Sequence, residues 1–119
     1  MSLKQSSKEP ANSRSAVPAC WGREPDRDCL RIKTADGEER LFPYQHFLGA
    51  HLRRQERTEA LTITFSSQSI TLEGRHLEEI VAALQEYAVD WIAPTPQRYQ
   101  SLRDADVVTI VKLEIKAAE

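Results

Sequence analysis

The sequence has no long apolar run, and its charges are nearly balanced. No uninterrupted apolar segment approaches the roughly 20 residues that a membrane-spanning helix needs. The N-terminal residues contain lysines but no apolar segment of the kind found in secretory signals. Sixteen Lys and Arg against 18 Asp and Glu give a net charge of −2, which provides no general attraction to nucleic acid or anionic lipid. We therefore expect no membrane partner and a cytoplasmic location.

Glycine and cysteine are also scarce, with four and two residues respectively. Four scattered glycines leave no Gly-rich loop that would cradle a phosphate, and no G-x-S-x-G segment predicts a nucleophilic serine. Cys20 and Cys29 lie close together in the chain. In a cytoplasmic protein we expect them to be free thiols, although the sequence alone leaves open whether they pair.

Residues 1–27 differ in composition from the rest of the chain. They are rich in serine, proline and charged residues and contain few apolar ones, which is typical of a flexible segment. We predict a flexible N-terminal tail over 1–27 and a single α+β domain over 28–119, because the chain length of 119 residues suits one domain.

The first half of the predicted domain contains a hairpin followed by a short helix. Apolar and charged residues alternate in "CLRIKT", the dipeptide DG favours a tight turn, and "ERLF" supplies the returning strand. In the next segment, Pro43 suits a first helical position, and apolar residues recur at helical spacing. We therefore predict a short helix over 43–54 with Phe47, Leu48 and Leu52 facing the core.

The second half contains another hairpin, the main helix and a last strand. Alternation in "ALTITFSSQSITLEG" predicts two strands joined by a polar turn. Over about 75–91, apolar residues recur every three or four positions opposite Glu and Gln, which predicts an amphipathic helix. The segment "DVVTIVKLEIK" is apolar on both faces at its start, as in a strand that is buried inside a sheet or at an interface.

These segments follow the order ββα-ββα-β. Five strands and one strongly amphipathic helix predict an α+β fold. We expect a mostly antiparallel five-stranded sheet with the main helix packed on one face. The short helix over 43–54 is a further element of the predicted fold. The order of the strands stays open, because two hairpins can be arranged in several ways.

The histidines do not predict a metal site. On a helix, His46 and His51 would lie roughly 140° apart around the axis, whereas a shared metal requires a spacing of three or four residues. Cys20 and Cys29 add no C-x-x-C spacing. We expect no metal, no cofactor and no recognisable catalytic residue. An enzyme that joins distant residues, such as His51 with Cys29 or Glu73, is the third of three hypotheses.

Two surface features predict contact with a partner. A cluster of arginines after the short helix, flanked by a tyrosine, is suited to phosphate backbones, although interleaved glutamates favour an ordinary solvated surface. "WIAPTPQRYQ" at 91–100 is a proline-containing loop of the kind that carries recognition residues. The predicted partner-binding residues are Arg53, Arg54, Arg57, Tyr44, Ile92 and Tyr99.

Together the observations favour a non-catalytic protein-interaction or adaptor module. We expect it to bind an unknown protein partner, or a second copy of itself as a homodimer, through a sheet edge and the 92–100 loop. The first alternative, less favoured, is a weak nucleic-acid-binding domain that uses the arginines. The second is a small enzyme whose site is not visible in the sequence.

Overall fold

Two four-stranded β-sheets and one helix make up the part of the chain that the computed structural model describes, residues 18–100 and 107–117. Short 3-10 turns occur at Tyr44–His46 and Gln97–Tyr99. In chain order the strands and the helix are β1 (Trp21–Arg23), β2 (Cys29–Lys33), β3 (Glu39–Pro43), β4 (Phe47–Arg54), β5 (Glu59–Phe65), β6 (Gln68–Arg75), α1 (Glu78–Leu84), β7 (Val89–Ile92) and β8 (Thr109–Ala117).

The fold class is α+β, as predicted, but the single five-stranded sheet is wrong. The first sheet has the order β1-β7-β2-β3 and is mixed, since β7 runs parallel to β2 and antiparallel to β1. The second sheet has the order β4-β5-β6-β8 and is antiparallel throughout. Inward-facing side chains of both sheets and of α1 form one hydrophobic cluster.

Both predicted hairpins are present, one in each sheet. β2 pairs with β3 across a turn in which Gly37 has a φ of 93°, a conformation that glycine adopts at little cost. β5 pairs with β6, and the inward residues Leu61, Ile63 and Phe65 are almost completely buried. Strict alternation of apolar and polar residues is therefore a reliable indicator in β2, β5 and β6, whereas β3 has the apolar Leu41 exposed beside the buried Phe42.

The short helix predicted over 43–54 is wrong. Pro43 ends β3, Tyr44–His46 forms a 3-10 turn, and the rest of the segment belongs to β4. Phe47 and Leu52 pack against the core, as predicted, whereas Leu48 is 68% exposed at a β-bulge. The extra residue of a bulge reverses which side faces inward. An apolar spacing that looks helical therefore also fits a bulged strand.

The main helix is shorter than the predicted 75–91. α1 ends at Leu84, Tyr87 takes a left-handed conformation with a φ of 54°, and the chain continues as β7. A left-handed residue commonly ends a helix. The apolar residues that follow it, Val89 and Ile92, belong to this strand and are completely buried in the first sheet.

A β-bulge explains why the start of β8 is apolar on both faces. Ile110 pairs with Gly74 and Lys112 pairs with Glu73, which leaves Val111 as the extra residue. Ile110 therefore faces the core before the bulge, and Leu113 and Ile115 face it after the bulge. β8 is an edge strand of its sheet, and the apolar pattern does not require a strand on its other side.

The predicted tail overlaps with the fold. Residues 18–27 include β1, and Cys20 is 2% exposed within the core cluster. Gly22 lies under the indole of Trp91, where a Cβ atom would come within 2.2 Å of its Nε1 atom. The remainder of the predicted tail, residues 1–17, lies outside the described residues.

Candidate functional site

A cavity of about 760 Å³ lies beside the edge strand β8. One wall is formed by residues 93–97 with Gln100, and another by residues 111–113 of β8. Thr34 and Ala35, from the turn after β2, complete it. The cavity thus lies where a turn of the first sheet approaches the edge of the second, and it includes much of the loop that the sequence singled out.

Thr95 bonds to the edge of β8 at a single residue. Its N–H donates to the carbonyl of Ile110 at 2.8 Å, and its Oγ1 accepts from the Ile110 N–H at 3.0 Å. The prolines on either side, Pro94 and Pro96, have no N–H to donate. Gln100 donates its Nε2 to the Thr95 carbonyl at 2.8 Å and fixes the loop. Thr95 therefore covers the edge at Ile110 and no further.

Beyond this contact, no strand among the described residues pairs with the outer edge of β8. The inward residues Leu113 and Ile115 pack against the core cluster but are only half-buried. Their pairing partners in β6, Leu72 and Ile70, are 0% exposed. The apolar layer is thus incomplete at β8, and a further strand at this edge would bury more of it.

Charges of alternating sign mark the outer face of the same edge. Lys112 Nζ and Lys116 Nζ lie 3.7 Å and 3.8 Å from the two carboxylate oxygens of Glu114. All three side chains are well exposed, so each ion pair adds little to stability. The alternation of sign would determine which neighbouring strand brings opposite charges together.

The predicted arginine and tyrosine face does not form as a unit. Arg54 Nη2 lies 2.5 Å from Glu78 Oε1 and Arg54 Nε lies 3.6 Å from Glu59 Oε2, so the charge of Arg54 is compensated. Arg53 and Arg57 are exposed, the first in β4 and the second in the turn after it. Arg54 and Arg57 line one cavity with Arg75 and His76, but Glu56 and Glu59 line it as well. A binding role for these arginines stays a prediction.

Tyr44 lies in the core rather than on the surface. Its hydroxyl donates to the carbonyl of Val89 at 2.6 Å and accepts from the N–H of the same residue at 3.1 Å. Burial, the largest effect, raises the pKa of Tyr44 to about 12. The ring is 9% exposed and packs edge-on against Phe47 and Tyr87, so it is not available to stack on a base.

The two predicted contacts in the loop lie in different surroundings. Ile92 is 0% exposed, so its predicted exposure is wrong: it belongs to β7 and packs in the core. Tyr99 is half-buried in the second 3-10 turn, with the Arg98 guanidinium 5.2 Å from its ring centre. Its neighbours Gln97 and Gln100 line the cavity, and a partner contact at Tyr99 stays a prediction.

The residues of the enzyme hypothesis are spread over the fold. His51 pairs with Thr62, which pairs with Thr71, two positions before Glu73. With strands about 4.8 Å apart and about 3.4 Å per residue, the Cα atoms of His51 and Glu73 are roughly 12 Å apart. Cys29 lies in the other sheet. Hence these side chains are not neighbours on one sheet.

Both cysteines are free thiols. Cys20 donates its thiol to the carbonyl of Val108 at 3.3 Å, and burial raises its pKa. Within residues 18–100 and 107–117, no group of three or more His, Cys, Asp or Glu side chains is arranged to hold a metal ion. Nor does that part of the chain contain a helix long and apolar enough to cross a membrane.

No protein-family model, curated protein or solved structure matches this chain. The site therefore has to be interpreted from its own geometry. Sequence reasoning included the loop but missed its pairing with β8. The sequence feature that could have indicated this pairing is the tripeptide Pro-Thr-Pro at 94–96. Only its threonine has a backbone N–H that can bond to a strand.

Proposed function

We propose that this chain is a non-catalytic protein-interaction module that takes up an extended segment of a partner along β8, next to the cavity. The observation that carries the proposal is that the loop residue Thr95 covers the outer edge of β8 only at Ile110. Thr95 bonds to that residue on both its N–H and its C=O, and the edge continues from Lys112 to Ala117 without a paired strand among the described residues.

Strand addition suits this edge on physical grounds. Backbone hydrogen bonds provide affinity when a peptide extends a sheet, and pockets for alternate side chains provide specificity. Leu113 and Ile115 are half-buried, so a neighbouring strand would remove apolar surface from water, at about 25 cal/mol for each Å². The segment 112–117, beside which no described strand pairs on the outer edge, spans about 20 Å as an extended strand, which accommodates a short peptide.

The cavity is suited to the chemistry of a polypeptide. Pro94, Pro96 and Val111 give it apolar surface, and Gln97 provides an amide. Lys112 is the one charged side chain among its lining residues. We expect a bound strand to continue past residue 113 of β8 into this cavity, where Thr95 stops further pairing. Nucleic-acid binding has less support, because Tyr44 is buried and Arg54 is paired.

Selection from a displayed library of random peptides tests the proposal. The wild-type chain is the bait, and the variant Ile115→Lys is used for counter-selection because an inward-pointing charge opposes strand addition. Leu41→Lys is the matched control, since Leu41 is 60% exposed on β3, an edge strand of the other sheet. Melting curves of both variants confirm that each is folded.

We expect extended peptides that bind the wild type and Leu41→Lys but bind Ile115→Lys at least tenfold more weakly. Enrichment of no peptide, or of peptides that bind all three proteins equally, would contradict the proposal. A nucleic-acid function would instead give binding to RNA or DNA that weakens steeply with salt and is lost on replacement of Arg53 and Arg57.

A further inference from the structure

We infer that the partner at the β8 edge is a second copy of this chain, paired antiparallel about a twofold axis at Ile115. The inference rests on the proposed function, because it names the occupant of the same edge. Three features of the edge carry it: the alternating charges, the position of Thr95 and the incomplete apolar layer.

The charges of Lys112, Glu114 and Lys116 divide the possible dimer registers into those that oppose like charges and those that oppose unlike charges. Directly paired residues in an antiparallel sheet point to the same face. A twofold axis at residue 114 would place Glu114 opposite Glu114 and Lys112 opposite Lys116, and directly opposed like charges are destabilising. An axis at 113 or at 115 instead places Glu114 opposite a lysine of the second copy, twice in each dimer.

Thr95 decides between the two favourable registers. With the axis at 113, residue 116 of the second copy would lie alongside Ile110. The N–H and the C=O of Ile110 are both bonded to Thr95, so that position is occupied. With the axis at 115, the paired segment is 113–117 in each copy, and it begins beyond Thr95.

In this register the contacts on both faces are complementary. On the outer face, Glu114 of each copy lies opposite Lys116 of the other copy, so the twofold axis gives two such pairs in the dimer. On the inner face, Ile115 meets its own counterpart, and Leu113 meets Ala117 of the second copy. Leu113 and Ile115 are the residues at which the apolar layer is incomplete, so the dimer continues the core of each sheet into the other.

The opposite edge of the same sheet lacks this complementarity. β4 carries Arg53 and Arg54 with His51, and no acidic residue. Self-pairing there would place Arg53 and His51 against a strand that supplies no acidic residue across the axis, whereas Arg54 is already paired with Glu78 and Glu59. The edge strands of the first sheet, β1 and β3, have only three and five residues.

The dimer is expected to be weak and reversible. Pairing of the segment 113–117 buries far less than the roughly 800 Å² per partner of a standard interface. A covalent trap is therefore the most sensitive test. Directly opposed Cα atoms in an antiparallel pair lie about 4.5–5.5 Å apart, which is within the range that a disulfide spans.

Three single-cysteine variants test the register, each in a Cys29→Ser background: Leu113→Cys, Glu114→Cys and Ile115→Cys. Cys20 is retained because it is 2% exposed, and the Cys29→Ser chain alone gives the background rate. Oxidation with diamide, followed by non-reducing gel electrophoresis, measures disulfide-linked dimer. We expect Ile115→Cys to crosslink at least tenfold faster than the other two.

If Leu113→Cys or Glu114→Cys crosslinks fastest, the register with its axis at Ile115 is wrong, although two copies still associate at the β8 edge. Rates equal to the background in all three variants would overturn the second copy as partner. The peptide selection then decides separately whether the edge binds another protein, so the two proposals fail by different results.

Charge variants provide a second measurement that needs no new cysteine at the contact. Lys116→Glu would oppose two acidic residues, and we expect sedimentation to show loss of dimer. Combining it with Glu114→Lys restores opposite charges across the axis and should restore the dimer. Lys112→Glu is the matched control, because Lys112 opposes Glu114 only when the axis is at 113. A stronger effect of Lys112→Glu than of Lys116→Glu would overturn the inference.

Discussion

At the scale of single residues, the hydroxyl of Tyr44 joins two segments that are far apart in the chain. It bonds to both the carbonyl and the N–H of Val89, and so connects the turn after β3 to the start of β7. Tyr44→Phe leaves both backbone groups without this partner, and we expect unfolding to become about 1–3 kcal/mol easier. Urea denaturation measures the loss. Tyr99→Phe, in the exterior 3-10 turn, serves as control and should change stability by less than about 0.5 kcal/mol.

The same residue predicts a dependence of stability on pH. Burial raises the pKa of Tyr44 from 10.0 to about 12, so the folded protein holds this proton more tightly than the unfolded chain does. The stabilisation is complete below pH 10 and is lost as the pH rises from 10 to about 12. We expect the stability difference between wild type and Tyr44→Phe to shrink over this interval. A difference that stays constant up to pH 12 would contradict the assignment.

Gly74 is required by the bulge that it faces. A Cβ atom there would lie 1.8 Å from the carbonyl oxygen of Thr109, which is backbone and cannot easily move away. We expect Gly74→Ala to destabilise the fold by about 3 kcal/mol or to prevent folding. Gly49→Ala is the matched control, because no heavy atom lies within 4 Å of its Cβ position. Equal melting temperatures for the two variants would show that β8 does not approach β6 in this way.

At the scale of elements, Glu59 at the start of β5 holds the N-terminus of α1. Its Oε1 accepts from the N–H of Leu77 at 2.8 Å, and its other oxygen faces Arg54. Glu59→Ala removes this cap and should cost about 1–2 kcal/mol, measured by thermal unfolding. Glu59→Gln keeps an acceptor and should cost less than half as much. Glu56→Ala, an exposed change in the neighbouring turn, should be nearly neutral, and an equal loss there would argue against capping.

The sequence predicts those elements whose pattern has one interpretation. Strict alternation predicts β2, β5 and β6 correctly, because only a strand buries every second residue. β3 is predicted by the Asp-Gly turn that precedes it. The segment 43–54 is ambiguous, since Leu48 and Leu52 have the four-residue spacing of one helix face, whereas Phe47 and Leu52 face the same side of a bulged strand. Pairing with β5 decides in favour of the strand, and that pairing is a tertiary contact that local periodicity does not contain.

The candidate site is predictable from the sequence only in part. The loop at 91–100 has the composition of a recognition segment, and the last strand is visibly apolar. The bond between Thr95 and Ile110 joins the two, and it depends on how the first sheet packs against the second. Ile92 illustrates the same limit, because its burial in β7 follows from a strand order that the sequence does not specify.

At the scale of the whole molecule, two sheets share one core, and its apolar layer is incomplete at β8. The edges of the first sheet are short, and β4 carries basic residues but no acidic one. β8 is the longest edge strand in the described parts of the chain, with nine residues, and Thr95 covers only its beginning. The proposed function and the proposed dimer both follow from this one asymmetry among the edges.

Hydrogen–deuterium exchange at increasing protein concentration tests this account most directly. We expect the Ile110 amide, which is bonded to Thr95, to be protected at every concentration. Amides within 113–117 that point to the open edge should exchange rapidly in dilute solution and become protected as the concentration rises. Those of β4 should not change. Protection of 113–117 that is independent of concentration, or a gain of protection confined to β4, would contradict the account.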